Sequence, residues 1–285
     1  MSGDFSFSTL MDGGDGNLVI NGFNQLQNLS VQYPELIYDG PFSDGLDRKE
    51  IKGLNGAEID QNIALEKFTQ IFGEYQLENI KVDGSSNAQM ECYNVQGEKD
   101  GDILYAEISK KGGKLVMFSF AGSCNGVNKS EEQAQEIAEQ FVASLGIENM
   151  KPVWINLSNN VYTINLAYEQ NGIIVYSDLV KVRVCGETGM VIGLEATSYY
   201  TNHTQRLIGK PAISKAQAQE KVSSSLLVEG GRLVVVPIGQ KSEKLCYEFV
   251  GEYDGSIFYA YIDAISGRQV EMFKVVESTE GKLLA

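Results

Sequence analysis

Two segments of this 285-residue chain are close copies of each other, and this internal repeat constrains the fold more than any other feature. CYNVQGEKDGDILYAEI begins at Cys92 and CYEFVGEYDGSIFYAYI begins at Cys246. They share ten identities in seventeen positions without a gap. A third, more divergent copy contains NGIIVY from Asn171, which matches DGDILY from Asp100 and DGSIFY from Asp254. Because such self-similarity marks one structural unit used repeatedly, we expect three copies of one design.

In each copy, residues typical of a helix start precede the residues typical of a hairpin turn by nearly the same number of positions. Ser130 followed by Gln133, and Ser214 followed by Gln217, form capping-box patterns. Asp60 is the corresponding cap of the first copy. The cap precedes the glycine of the hairpin by 41, 42 and 41 residues in the three copies. Apolar residues at three- and four-residue spacing then predict an amphipathic helix of about 14 residues in each copy.

Strand and turn signals follow each helix. The pairs Asp100–Gly101, Asn171–Gly172 and Asp254–Gly255 are typical of two-residue hairpin turns, because both positions need a positive φ. A second glycine turn (KKGGK, GETGM or AISGR) precedes the last strand of each copy. The sequence therefore predicts an α+β protein of three tandem units, each with one helix packed on an antiparallel β-sheet. The second copy carries extra residues at Ser177–Val180, which predicts a longer strand or a bulge.

The repeat also predicts the domain boundaries. A lead segment, residues 1–55, contains the motif YPELIYDGPFSD and precedes the three units. The units span residues 56–125, 126–204 and 205–285. The polar, glycine-rich start fits either a native cytosolic start or a piece of a longer anchored protein. The sequence contains no run of 18 apolar residues, so no membrane-spanning helix is predicted.

Charge and composition exclude several classes of function. The formal net charge of −15 would repel a polyanion, so no nucleic acid partner is expected. The one histidine, His203, rules out a zinc site built from several histidines, and its polar surroundings predict an exposed loop residue. We therefore predict no cofactor and no metal site.

The four cysteines, Cys92, Cys124, Cys185 and Cys246, form no CxxC motif. Three of them lie in apolar or alternating runs, which is typical of small core residues. Disulfides are compatible with this spacing but are not required by it.

Two repeated acid pairs are the candidates for catalysis. Glu98 with Asp100, and Glu252 with Asp254, could provide general acid and base groups. The aspartates, however, occupy turn positions that favour Asp-Gly for backbone reasons, and the middle copy has Asn171 there. We interpret these acids as structural and predict no catalytic residues.

The end of each copy resembles the PepSY domain family, whose closing pattern is Y-x-x-D-A-x-T-G-x-V. YAYIDAISGRQV, Tyr259–Val270, matches it with Ser266 in place of threonine. Val180–Val191 matches in part, and Ala106–Val116 is the weakest match. YPELIYDGPFSD, Tyr33–Asp44, resembles a signature of the YpeB family of spore germination proteins, in which a similar segment precedes tandem PepSY domains.

This resemblance implies a non-enzymatic function. By it, the protein binds and stabilises or restrains a cortex-lytic peptidoglycan hydrolase, SleB or a similar enzyme, until germination. It also implies a place at the spore inner membrane, with the soluble part facing the cortex and an N-terminal anchor that this chain lacks. An alternative is a PepSY-type inhibitor or chaperone of another secreted hydrolase, such as a protease. A carboxylate-based enzyme acting on polysaccharides is a third hypothesis.

The signature itself supplies the candidate site. Asp39–Gly40–Pro41 predicts a turn, and Tyr33, Tyr38 and Phe42 provide apolar surface around it. We expect these three aromatic residues to clamp the lead segment onto the first unit, since a rigid aromatic loop in water would be an exposed patch. Alternatively, they form the partner-binding surface.

Overall fold

The computed structural model describes residues 40–42, 50–239, 242–278 and 281–285. Two members of the candidate site, Tyr33 and Tyr38, lie outside these residues. The helices of the described part are α1 (Gln61–Ile71), α2 (Glu131–Ser144), α3 (Thr197–Asn202) and α4 (Lys215–Gln219), with a 3-10 turn at Gly73–Tyr75. The strands are β1 (Glu78–Ser86), β2 (Cys92–Lys99), β3 (Asp102–Ser109), β4 (Leu115–Phe120), β5 (Met150–Ser158), β6 (Val161–Gln170), β7 (Ile173–Cys185), β8 (Val191–Glu195), β9 (Leu227–Ile238), β10 (Ser242–Tyr253), β11 (Ser256–Asp263), β12 (Gln269–Ser278) and β13 (Gly281–Leu284).

All the described strands belong to one hydrogen-bonded sheet. Its order is β1-β2-β3-β4-β8-β7-β9-β10-β11-β12-β13, and β6 joins β5 to β7. The first copy meets the second where β4 pairs antiparallel with β8, as at Phe118 and Leu194. The second copy meets the third where β7 pairs parallel with β9, as at Ile174 and Val234. The predicted α+β class is confirmed, but the sheets expected to be separate are continuous.

The predicted helix starts are confirmed. Asp60 Oδ1 accepts the backbone N–H groups of Asn62 and Ile63 at 2.9 and 3.0 Å. Ser130 and Ser214 each form a reciprocal capping box with the glutamine three residues later. Each cap satisfies backbone donors that the first turn of a helix leaves without partners.

The predicted length is wrong for the third helix. Whereas α2 has 14 residues, α4 ends after five. Three consecutive serines, Ser223–Ser225, follow it, and the Ser223 hydroxyl accepts the backbone N–H of Ser225 at 3.3 Å. Serine side chains compete in this way with helical hydrogen bonds, so the helix does not continue.

The three hairpin turns adopt the predicted backbone conformation. The φ angles are 53° and 90° at Asp100–Gly101, 54° and 78° at Asn171–Gly172, and 48° and 69° at Asp254–Gly255. Such paired positive angles match the twist of the flanking strands. The turn aspartates therefore have the structural role that the sequence indicated.

A second turn is also repeated, and each copy secures it with different chemistry. The backbone N–H of Ser109, Cys185 and Asp263 each donates to the carbonyl five residues further on, at 2.8, 2.8 and 2.9 Å. Ser109 Oγ accepts the N–H of Lys114 at 2.9 Å, and Cys185 forms a disulfide with Cys124. The three residues thus occupy one position of the repeat.

Asp263 supplies the third version of this turn and carries the aspartate of the PepSY pattern. Its Oδ1 accepts the N–H groups of Ile265 and Ser266 at 2.8 and 3.0 Å, and its Oδ2 accepts from Lys244 Nζ at 2.9 Å. Burial opposes ionisation, but the N–H of Ser266, the ammonium of Lys244 and the N–H of Ile265 outweigh it and lower the pKa of Asp263 to about 2. The turn is therefore stabilised by the ionised carboxylate.

This gives a pH-dependent prediction. Because the folded pKa lies below the unfolded value of about 3.9, the stabilisation is complete above about pH 4 and is lost as the pH falls through about 2. We expect Asp263→Asn to lower the free energy of unfolding by about 1–2 kcal/mol at pH 7. Urea denaturation at pH 7, 4 and 2.5 should show a weaker acid dependence in this variant than in the parent. Equal acid dependence in both would contradict the assignment.

The extra residues of the second copy form both a longer strand and a bulge, as predicted. β7 has 13 residues. Its pairing with β6 shifts between Tyr168↔Val175 and Ala167↔Leu179, so Tyr176, Ser177 and Asp178 lie in the irregular part. All three are buried, which places one tyrosine and one aspartate inside the protein at this point.

The cysteines divide into two kinds. Cys124 and Cys185 form a disulfide, with their Cα atoms 5.7 Å apart. Cys92 and Cys246 are buried free thiols at matching positions of the first and third copies, as small core residues would be. Among the described helices, none has both the length and the apolar character needed to cross a bilayer.

Candidate functional site

Phe42 of the signature inserts into an aromatic cluster on one face of the sheet. The centroid of its ring lies 4.9 Å from that of Tyr261, and 5.3 Å from those of Tyr176 and Phe273. The rings are tilted or edge-on, the arrangements that aromatic pairs favour. β7, β11 and β12 supply these partners, so Phe42 contacts strands of the second and third copies.

The backbone on either side of Pro41 has an unusual conformation. Gly40 has a φ of 90° and Phe42 a φ of 58°, a region that side chains other than glycine rarely adopt. A Cβ atom on Gly40 would lie 2.5 Å from Cγ of Trp154, so only glycine fits against this ring. Gly40 and Pro41 are buried. We call Gly40–Phe42 the anchor.

The described contacts of the anchor are with other units than the one predicted for the signature. We expected the signature to pack on the first unit, but the aromatic partners of Phe42 belong to the second and third. The bulge in β7 brings Tyr176 next to Tyr261, with 6.3 Å between ring centroids, and this forms the pocket. For Tyr33 and Tyr38 the clamp stays a prediction.

A buried ionic group lies beside the anchor. The Tyr176 hydroxyl donates to Glu248 Oε2 at 2.5 Å, and Arg232 Nε donates to Glu248 Oε1 at 2.7 Å. Glu248 is 2% exposed, so the guanidinium compensates a carboxylate that is removed from water. Burial, and then the charge of Glu248, raise the pKa of Tyr176 well above its usual value of 10. Tyr176 therefore stays protonated and donates to Glu248.

A second ionic group ties the β7 bulge to the chain before α4. Arg206 donates to both carboxylate oxygens of Asp178 at 2.8 and 2.6 Å. It also donates to Glu243 from Nε at 3.1 Å and from Nη2 at 2.7 Å. The Asp178 side chain is fully buried. Burial alone would lower the pKa of Arg206, but the hydrogen bonds to Asp178 and Glu243 raise it above its usual range. The stability of such a buried ion pair depends on both partners, because removal of one leaves the charge of the other uncompensated.

His203 belongs to the same group, so the prediction of an exposed loop histidine was wrong. Its Nδ1 lies 2.8 Å from Asp178 Oδ2, and its side chain is 22% exposed. Its ring stacks on Tyr199 with 4.4 Å between centroids. The segment before it forms α3 rather than a loop, and this short helix places Tyr199 one turn before the histidine.

The repeated acids lie at the ends of strands and in hairpin turns of the first and third copies. Asp100 and Asp254 lie in the hairpin turns of the first and third copies. Glu98 accepts a hydrogen bond from Asn79 Nδ2 at 3.2 Å, and Glu252 pairs across the strands with Ile257 and Leu227. No group of three potential metal ligands occurs within the described ranges. The chemistry of the site is therefore that of aromatic packing and buried ion pairs.

Most residues of this site carry no recognisable signal in the sequence. Trp154, Tyr176, Tyr261 and Phe273 each look like ordinary core residues in their own strands. The extra residues at Ser177–Val180 were the available signal, because they mark the point where the second copy departs from the repeat. Nothing in the sequence indicated which strands of the third copy this point would meet.

The anchor provides a direct test of the aromatic pocket. We expect Phe42→Ala to lower the free energy of unfolding by about 1–3 kcal/mol, because a half-buried ring with three aromatic partners is lost. Phe42→Leu should retain part of this stability. Chemical denaturation of the two variants and the parent measures the difference. A Phe42→Ala protein as stable as the parent would show that the ring contributes nothing.

Comparisons with known proteins cover most of the chain. Residues 19–209 match the family model described as "YpeB sporulation, PepSY1 and PepSY2 domains", and residues 212–273 match "Peptidase propeptide and YPEB domain". The chain is 27% identical over 271 residues to the sporulation protein YpeB of Oceanobacillus iheyensis, covering 93% of this chain and 59% of that protein. It is 25% identical over 276 residues to the sporulation protein YpeB of Bacillus subtilis, covering 91% and 59%.

A solved structure agrees with these matches. The C-terminal domain of Bacillus megaterium YpeB superimposes with a TM-score of 0.71 at 26% identity, covering 77% of this chain and 99% of that structure. The chain thus spans 59% of the length of both curated relatives and nearly all of the solved domain. By the match over residues 19–209, the chain belongs to the YpeB family of sporulation proteins.

Proposed function

We propose that this protein is a non-enzymatic germination protein that binds and stabilises or restrains a cortex-lytic peptidoglycan hydrolase of the SleB type until germination. Membership of the YpeB family carries this proposal. The site supports it, since its acids serve turns and buried ion pairs. By the family resemblance, the protein acts at the cortex-facing side of the spore inner membrane.

We also interpret the chain as three PepSY-like units after a lead segment. The bounds are 1–55 for the lead segment and 56–125, 126–204 and 205–285 for the units. The repeated caps and turns support this division, and the change between family models at residues 209–212 lies near the last boundary. The anchor then has a mechanical role, because Phe42 contacts both the second and the third unit.

The third unit offers an apolar surface for a partner. Leu227 is 73% exposed and Tyr253 is 54% exposed at the same end of β9 and β10. Leu227 pairs across the strands with Glu252, the residue before Tyr253. Exposed aromatic and aliphatic side chains at one end of a sheet are typical of interaction sites. We therefore propose this end of the sheet as the hydrolase contact.

Binding to a purified cortex-lytic hydrolase tests the function. We expect the parent chain to bind the enzyme in calorimetry, and Leu227→Asp to weaken binding by at least about tenfold, because a charge would enter the apolar contact. Leu207→Asp is the matched control, since Leu207 is fully exposed in the stretch between α3 and α4. Equal loss in both variants would reject the surface, and no binding by the parent would reject the partner.

A protease is the second candidate partner. The description "Peptidase propeptide and YPEB domain" for residues 212–273 favours it. A pull-down from spore extract with this chain as bait separates the two candidates, because recovery of a protease alone would favour the second.

The hypothesis that the chain is a carboxylate-based enzyme has its own test. If alanine at Glu98, Asp100, Glu252 and Asp254 abolished a cortex-cleaving activity of the pure chain, the non-enzymatic function would be rejected.

A further inference from the structure

A cleft of about 300 Å³ lies between α1, the second turn of the first copy and the end of α2. Three apolar residues line it and are buried or half-buried, namely Ile71, Leu115 and Leu145. Lys67, which is exposed, and Lys114, which is half-buried, line it as well. The described residues that line this cleft include no aspartate or glutamate. We call it the basic cleft.

The charge of the turn beside the basic cleft is peculiar to the first copy. Residues 109–114 contain three lysines and no acid. The equivalent residues 185–190 contain one glutamate and no base, and residues 263–268 contain one aspartate and one arginine. All three turns nevertheless close with the same backbone hydrogen bond, at 2.8, 2.8 and 2.9 Å. The turn therefore does not need lysines for its conformation, and those of the first copy require another explanation.

The two lysines of the basic cleft carry charges that the fold does not use. The stem of Lys67 lies on the turn, with its Cγ 3.7 Å from the position that a Cβ on Gly113 would take. Lys110 of the same turn donates to Glu91 at 3.1 Å, so its charge is compensated. Neither Lys67 nor Lys114 forms an ion pair with a described residue. Both ammonium groups can therefore pair with an anion from outside.

The acidic character of the whole chain does not cancel this local field. The formal net charge is −15. In 0.1 M salt the Debye length is about 10 Å, so distant carboxylates are screened and the nearest charges dominate. A cleft with cations and no carboxylate in its lining attracts a ligand of the opposite sign.

We propose that the basic cleft binds a glutamate-bearing acidic segment of a partner protein. Its carboxylates pair with Lys67 and Lys114, and its side-chain methylenes cover Ile71, Leu115 and Leu145. A glutamate side chain has both the charge and the apolar stem that this lining requires, whereas phosphate would leave the apolar residues uncovered. The basic cleft is separate from the Leu227 surface of the third unit. Its test uses no hydrolase, so its failure would leave the proposed function untouched.

Fluorescence anisotropy with a labelled hexaglutamate peptide in 0.1 M salt tests the site. We expect saturable binding to the parent chain below about 1 mM peptide. Lys67→Gln combined with Lys114→Gln should weaken binding at least about tenfold, because both cations are lost while the side-chain stems remain. Labelled hexaglutamine has no charge and should not bind. Failure of the parent to saturate, or equal binding of both peptides, would overturn the proposal.

The third copy supplies the matched control. Lys221 and Arg268 are the equivalents of Lys67 and Lys114, and Lys221 also lies beside its turn glycine, Gly267. Lys221→Gln combined with Arg268→Gln removes the same charge away from the basic cleft and should bind within about twofold of the parent. Equal loss in the two double variants would show attraction by charge alone and would overturn the proposal.

Two further measurements separate the remaining explanations. Lys67→Arg combined with Lys114→Arg keeps both cations and should retain binding, which distinguishes loss of charge from a failure to fold. Inorganic phosphate at the peptide concentration should not displace the peptide, because it cannot cover the apolar residues. Full displacement by phosphate would show a site for small anions and would overturn the assignment to an acidic peptide.

Discussion

Arg206→Met is expected to lower the free energy of unfolding by about 3–5 kcal/mol, the largest effect among our predictions. The Arg206 guanidinium contacts both oxygens of Asp178, whose side chain has no exposure to solvent. Without the arginine, the contact with His203 is what this carboxylate keeps among the side chains that the structure describes. Methionine fills similar space but provides no charge, so the loss reflects the uncompensated carboxylate.

Two further variants separate this effect from simple loss of packing. Adding Asp178→Asn to Arg206→Met should recover at least about 1 kcal/mol, because the buried charge is then removed. Arg268→Met changes an exposed arginine and should stay within about 0.5 kcal/mol of the parent. Urea denaturation of the parent and of these three variants measures how much stability the second substitution recovers. If the double variant were less stable than Arg206→Met alone, the charge would not be the cause.

Removal of the disulfide is expected to lower the free energy of unfolding by about 2–4 kcal/mol. Cys124 and Cys185 are 61 positions apart, so their bond closes a long loop in the unfolded chain. In the chain-entropy account, a cross-link of this length removes about 4 kcal/mol of unfolded-state freedom. The bond also secures the second turn of the middle copy, where the third copy has Asp263.

Reductant distinguishes the bond from the packing of its two side chains. Dithiothreitol should destabilise the parent and leave the Cys124→Ala/Cys185→Ala variant unchanged. Cys92 and Cys246 are free thiols, so reduction does not alter them. If the denaturation midpoint of the parent protein did not change with reductant, Cys124 and Cys185 would not form a disulfide in solution.

The local features were the ones that the sequence predicted well. The caps at Asp60, Ser130 and Ser214 and the Asp-Gly and Asn-Gly turns follow from interactions within a few residues. The β7 bulge was visible as extra residues in one copy. Such features depend on backbone conformation and near neighbours, which a repeat displays several times over.

The predictions that were wrong concern contacts between distant parts of the chain. His203 reads as a loop residue because its partner Asp178 is 25 positions away, and the anchor was expected on the first unit. The wrong length predicted for α4 is the exception, because it has a local cause in the serines that follow this helix. Each long-range contact required knowing which strands become neighbours.

The repeated unit, its helix starts and turns, and membership of the family can be recognised in the order of residues alone. How the copies join, antiparallel at β4–β8 and parallel at β7–β9, becomes visible only in the folded protein. This arrangement places Tyr176 on Glu248, 72 positions away, and forms the pocket for Phe42. Local hydrogen bonds are encoded within a few residues, whereas burial of a charge or ring depends on surfaces that meet only after the sheet has assembled.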